Sequence, residues 1–213
     1  MKLQVAIDLG DTNDMLELVA KIHDIADIIE IGTPLIIRDG LRPVRELRDK
    51  YKDVVILADT KIMDGGALEA AYALNAGADI VTVLAAAPDE TIKAVIDATH
   101  QSGKETLVDM INCKDFLDRA LEVEALDADY IGVHTASDVQ GSGKTPIDEL
   151  RIATEVIKTA KVAVAGGIGL DTLAAVVTKQ PAIVIAGSKI TGSPDPRATI
   201  LAFKEVMDQE TER

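Results

Sequence analysis

Residues 54–84 read Val54-Val-Ile-Leu-Ala-Asp59-Thr-Lys-Ile-Met-Asp64-Gly-Gly-Ala-Leu-Glu-Ala-Ala-Tyr-Ala-Leu-Asn-Ala-Gly77-Ala-Asp-Ile-Val-Thr-Val-Leu84. An apolar run over 54–59 ends in a carboxylate, a helical segment follows, Asn75-Ala-Gly77 supplies a helix stop, and a second apolar run covers 79–84. Neither run alternates apolar with polar residues as a sheet with one wet face would. Both read as strands buried on two faces, the pattern of a parallel sheet. Outward from this unit the same kind of run recurs at 3–8, 27–32, 105–109, 129–134, 161–166 and 182–187. The segments between carry apolar residues at helical spacing, as with Leu16, Val19, Ala20 and His23 in the first, with charged residues opposite. Eight such units in 213 residues come to about 27 residues each, close to the least that holds a strand, two loops and a short helix. The fold expected is α/β, a single-domain (β/α)8 TIM barrel over residues 1–213. A doubly wound open sheet is the alternative, since sequence does not prove closure.

Composition narrows the function. With 22 basic against 36 acidic side chains the net charge is −14, and no basic cluster stands apart, so nucleic acid is not an expected partner. A single cysteine, Cys113, excludes a disulfide framework, and three scattered histidines give poor support for a zinc cluster. The apolar start meets a carboxylate at Asp8, too early for a signal peptide, and no run approaches the ~20 apolar residues of a membrane span. A cytoplasmic protein without a membrane partner is expected. Aromatic residues make up only 2% of the chain, so aliphatic layers rather than aromatic platforms must build the core.

In a barrel of this kind chemistry gathers at the carboxyl ends of the strands. Those ends carry Asp8, Glu30, Asp59 followed by Lys61 and Asp64, Asp109, and His134, then Gly166-Gly167-Ile168-Gly169 and Gly187-Ser188-Lys189. Taken singly, Asp8, Asp64 and Asp109 also suit helix caps and turns, and His134 suits a satisfied buried histidine. Glu30, inside Ile28-Ile29-Glu30-Ile31, is costly to bury without a partner. Asp59-x-Lys61-x-x-Asp64 is the sharpest signal. If strand geometry continues past Asp59, positions 59 and 61 point to one side and share a site. Several neighbouring carboxylates need a cation to stay ionised; Lys61 is one, and an oxygen-liganded Mg²⁺ is the natural second. The glycine turns at 166–169 and at 187 expose backbone N–H groups where many barrels hold a phosphate, with Ser188 or Lys189 as added donors. A small phosphorylated ligand is expected. Gly141-Ser-Gly-Lys144-Thr145 ends like a nucleotide-binding P-loop, but Asp138 stands where the first glycine belongs and Pro146 removes an N–H, so a mobile active-site loop is the better reading.

These residues resemble the orotidine-phosphate decarboxylase superfamily over essentially the whole chain. The resemblance rests on Leu3-Gln-Val-Ala-Ile-Asp8, Glu30-Ile-Gly-Thr-Pro34, Leu57-Ala-Asp-Thr-Lys-Ile-Met-Asp64, Ala78-Asp-Ile-Val-Thr-Val83, Gly132-Val-His-Thr135, Ala165-Gly-Gly-Ile168 and Ile185-Ala-Gly187. It implies a homodimeric barrel in which Asp64 reaches into the partner's site. Glu30 and Asp59 match the Mg²⁺ carboxylates, Asp8 and Lys61 their polar neighbours, and His134 the histidine after strand six; Gly166, Gly167, Gly187 and Ser188 remain the candidate phosphate cradle. The activity implied is that of the branch that condenses formaldehyde with D-ribulose 5-phosphate, reversibly, to D-arabino-hex-3-ulose 6-phosphate; His134, of the residue type that titrates nearest neutrality, is the expected base. The competing branch, 3-keto-L-gulonate-6-phosphate decarboxylase, usually carries arginine three residues after the histidine, where this chain has Ser137, and arginine after the last glycine, where it has Ser188-Lys189. An alternative of another class is a non-enzymatic phosphate- or nucleotide-binding protein, for which so many acid–base groups at one rim would have no use.

Overall fold

In a computed structural model of the chain, which describes residues 1–140 and 145–211, eight parallel strands close into a barrel in sequence order. They are β1 (Lys2–Ile7), β2 (Ile28–Ile31), β3 (Ile56–Ile62), β4 (Ile80–Leu84), β5 (Glu105–Asp109), β6 (Tyr130–His134), β7 (Lys161–Ala165) and β8 (Ile183–Ala186). Closure is direct: Leu3 and Gln4 of β1 lie in register with Val184 and Ile185 of β8. The expected barrel is the observed fold, and an open sheet is excluded. The P-loop-like residues Gly141–Lys144 lie outside the described residues.

The strands do not alternate because each faces two cores. Outward, Val5, Ile29, Val81 and Val164 pack under the helices; inward, Ile28, Leu57, Ile80, Leu107, Tyr130, Ala163 and Ile183 fill the barrel. The outer ring consists of α1 (Thr12–Ile22), α4 (Gly66–Ala76), α5 (Asp89–Gln101), α6 (Phe116–Ala125), α8 (Ile147–Val156), α9 (Leu170–Val177) and α11 (Pro196–Thr211), with two helices, α2 (Thr33–Asp39) and α3 (Arg42–Lys50), between β2 and β3. Short helices α7 (Ser137–Gln140) and α10 (Ser188–Thr191) follow β6 and β8 directly. Gly77 stops α4 as its position in the sequence implied. At φ +110° it caps the helix with its own N–H on Ala73 and Leu74, a conformation that disfavours any other residue. The buried stripe of α1 is Thr12, Met15, Val19 and Ile22, so the phase read from Leu16, Ala20 and His23 is corrected by about one residue. Asp11 explains the phase: its carboxylate accepts from the N–H groups of Asn13 and Asp14, and this capping box sets where the helix starts.

Candidate active site

Five polar side chains from four consecutive strands form one network at the carboxyl ends. Asp59, only 6% exposed, accepts from Thr82 Oγ1 of β4 at 2.8 Å and from Thr33 Oγ1 at 2.7 Å. Lys61 Nζ donates to Asp59 Oδ2 at 2.6 Å and lies 3.1 Å from Asp109 Oδ2. Asp109 in turn meets His134 Nδ1 at 3.0 Å. A carboxylate at Nδ1 favours the tautomer with the proton there, which leaves Nε2 of His134 for a ligand. Burial lowers an ammonium's pKa, yet Asp59 and Asp109 together outweigh burial and hold Lys61 above its ordinary value. Burial likewise opposes ionisation of Asp109, and His134 and Lys61 overcome it, keeping that carboxyl below the usual range.

Lys61 does not reach Asp59 along a regular strand, which corrects the expectation of continued strand geometry. The pairing of β3 with β4 moves from Ala58 opposite Val81 to Ile62 opposite Val83, so four steps on one strand match two on the other. Lys61 sits within that bulge at φ +46°, a left-handed conformation for a residue with a long side chain, and its N–H is tied to Thr82 Oγ1 at 2.9 Å. Strain of this kind, held by a neighbouring hydroxyl, serves to aim a side chain.

Glu30, 8% exposed, accepts from Gln4 Nε2 at 2.6 Å. Burial first, then the charges of Asp59 and Asp8, push its pKa up to about 8 against the opposing hydrogen bond from Gln4. Asp8 stands at the cavity wall with its pKa raised by burial and Asp59, and opposed by Lys61 and His134. Glu30, Asp8, Asp59 and Asp109 thus set four carboxylates against one lysine. Glu30, Asp59 and Asp8 offer hard carboxylate oxygens where cations are in deficit, the donor type that Mg²⁺ takes. Among the described residues no group of three or more His, Cys, Asp or Glu is arranged to enclose a metal.

A cavity of about 490 Å³ joins this network to the opposite rim, where Gly166, Gly167, Gly187, Ser188 and Lys189 line it. Gly166 and Gly167 have φ of +122° and +66°, and a Cβ at Gly166 would lie 2.8 Å from Thr135 O and 2.9 Å from its N. Only glycine makes that turn. Ser137 and Asp138 line the same cavity. Asp64 does not: it is exposed beyond β3, accepting from Gly65 N–H at 2.7 Å. Thus Asp8, Glu30, Asp59, Lys61, His134 and the glycine rim come together within one chain, and Asp64 stays outside. Thr33, Thr82 and Gln4 were missed in the sequence. The only signal for Gln4 was a lone amide in an apolar run, and threonine within a strand carries none.

The chain matches the model of the "Orotidine 5'-phosphate decarboxylase / HUMPS family" over residues 1–203. It is 44% identical over 209 residues to the 3-hexulose-6-phosphate synthase of Bacillus subtilis (strain 168), covering 98% of this chain and 100% of that one. The crystal structure of 3-hexulose-6-phosphate synthase from Salmonella typhimurium superposes with a TM-score of 0.96 at 40% identity, over 99% of this chain and 100% of that one. The crystal structure of 3-keto-L-gulonate-6-phosphate decarboxylase from Vibrio cholerae superposes with a TM-score of 0.87 at 25% identity, over 98% of this chain and 97% of that one. The chain is therefore an enzyme, and it belongs to the orotidine 5'-phosphate decarboxylase / HUMPS family.

Proposed function

We propose that the enzyme condenses formaldehyde with D-ribulose 5-phosphate to D-arabino-hex-3-ulose 6-phosphate, reversibly and with Mg²⁺, as a homodimer. The observation that carries this reading is the row Asp59, Lys61, Asp109, His134, which sets a cation and an oriented imidazole side by side across a cavity from a glycine-lined anion cradle. The names of the Bacillus and Salmonella relatives support the aldolase, at 44% and 40% identity against 25% for the Vibrio decarboxylase. Ser137, lining the cavity without an arginine's charge, speaks against the decarboxylase reading.

The phosphate would rest on the N–H groups of the turns at Gly166-Gly167 and Gly187-Ser188, which places the ketose end at Lys61 and His134. Nε2 of His134 takes the C1 proton, and Asp109 stabilises the imidazolium that results. Lys61 donates to the oxygen on which negative charge develops, an interaction that strengthens toward the transition state. Glu30 and Asp59 would hold Mg²⁺, which when bound would supply Lewis acidity to the developing negative charge. C1 then attacks the carbonyl carbon of formaldehyde, a C–C bond forms, the C=O electron pair moves to oxygen, and that oxygen takes the proton back.

The dimer reading is supported by exposed apolar side chains in the segment that carries Asp64 and in α4 just after it. Met63, Leu68 and Tyr72 are 47%, 59% and 56% exposed, and patches of this kind mark contact with another chain. The test of the chemistry is exchange of the C1 proton of ribulose 5-phosphate in D₂O, followed by NMR without formaldehyde. Wild type should exchange it, while His134→Gln should lose exchange and still bind the sugar phosphate. Exchange at the wild-type rate in His134→Gln removes the histidine from the role.

A further inference from the structure

Beneath the row of charged residues lies a second, much smaller cavity of about 30 Å³ inside the barrel. It shares Glu30, Asp59, Lys61, His134, Ala165 and Ile185 with the large cavity, so the two spaces meet at the reacting groups. Its other walls set the aliphatic Leu57, Leu107 and Val133 against the polar Gln4, Thr82 and Asp109. A water-sized group needs about 10–15 Å³ by this measure, so the space takes about two non-hydrogen atoms and no sugar. Gly132 keeps it open. A Cβ at that position would lie 2.9 Å from Leu107 Cδ2, so a methyl group would be added to one wall and the Leu107 side chain on another would have to shift.

Resting on the aldolase reading above, the geometry points to this small cavity as the formaldehyde subsite, with the pentose phosphate confined to the large one. Formaldehyde has two non-hydrogen atoms and no charge, and its CH2 and carbonyl oxygen suit a wall that is part aliphatic and part hydrogen-bonding. With the phosphate on the glycine turns, the end of the ketose that gains the new carbon faces Lys61 and His134, at the mouth of the small cavity. Lys61, which spends two contacts on Asp59 and Asp109, keeps a third N–H that serves the enediolate oxygen first and then the oxygen that becomes an alkoxide. The size of this space accordingly excludes longer aldehydes.

Two variants test this. Gly132→Ala narrows the cavity by a methyl group, and the atom displaced is the end of a flexible side chain, so the barrel should fold. Its KM for formaldehyde should rise at least about tenfold. Its KM for ribulose 5-phosphate and its C1-proton exchange, measured without formaldehyde, should stay within about twofold of wild type. Leu107→Ala enlarges the cavity and should raise the use of acetaldehyde relative to formaldehyde at least about tenfold. An unchanged formaldehyde KM in folded Gly132→Ala, or equal losses in both half-reactions, overturns the assignment, as does failure of Leu107→Ala to change aldehyde preference. Failure of the underlying reading looks different: the wild-type enzyme itself would then exchange no proton.

Discussion

Gly32 lacks a side chain because Asp8 occupies the space: a Cβ there would lie 2.0 Å from Asp8 Oδ1. The backbone does not demand glycine, since φ −67° and ψ 155° at this helix cap are open to alanine. The same Cβ would crowd Ile7 O at 3.0 Å, so Gly32→Ala should fold with a modest loss of thermal stability, yet lose as much kcat/KM as Asp8→Ala, and the double variant should be no worse than either alone. Additive losses would show that the glycine acts by another route. Asp109 is the second case. Its Oδ1 accepts from Ile111 N–H at 2.9 Å, the turn use that a carboxylate after a strand invites, while Oδ2 links Lys61 to His134. Both readings of the sequence hold at one residue, and only the structure shows which neighbours it joins. Asp109→Asn should lower kcat about 100-fold or more with little effect on KM for the sugar phosphate, as steady-state kinetics would report. Glu30, Asp59, Lys61 and His134 were legible because charge inside an apolar run demands an explanation. Thr82 and Thr33 were not, because a hydroxyl in a strand or at a helix start has ordinary reasons to be there.

At the level of elements, the run at 105–109 became β5 without change, and the other seven strands fell within two or three residues of the runs read from sequence. Apolar patterning locates strands buried on two faces well. It does not reveal the bulge in β3, which depends on how Lys61 and Thr82 meet across strands, nor the division of the β2–β3 segment into α2 and α3. It misphased α1 because leucine and alanine tolerate either face, whereas the cap at Asp11 does not. The outer ring is closed by a contact far apart in sequence, Arg197 of α11 on Asp24 just beyond α1, at 2.6 and 2.8 Å. The hydrogen bond from Arg197 lowers the Asp24 pKa to about 2. Its folded value lies below its unfolded one, so its contribution to stability is present above about pH 4 and lost as pH falls toward 2. The pair is exposed and its effect is small. In thermal melts the difference between wild type and Asp24→Asn should shrink steadily over that window. A difference that stays constant from pH 5 to pH 2 contradicts the linkage.

For the whole molecule, barrel closure brings the end of β1 beside the end of β8, so Asp8 and Gly187 face one ligand space although 179 residues separate them in the numbering. A barrel was legible from eight repeats of one pattern. The partner subunit of the proposal comes from resemblance, because an exposed Met63 or Tyr72 has no meaning in a single chain. If Asp64 completes the neighbouring site, Asp64→Ala and His134→Gln should each be nearly inactive alone, and mixing them under subunit exchange should restore activity toward about a quarter of wild type. No recovery in demonstrably mixed dimers would place Asp64 outside the chemistry. The central claim is the reaction itself. Its most direct test follows formaldehyde consumption by the purified enzyme with ribulose 5-phosphate and Mg²⁺, against controls that omit the sugar phosphate or add a chelator. Loss of formaldehyde that requires both is the expected result; no loss with both present, or undiminished loss in chelator, would contradict it.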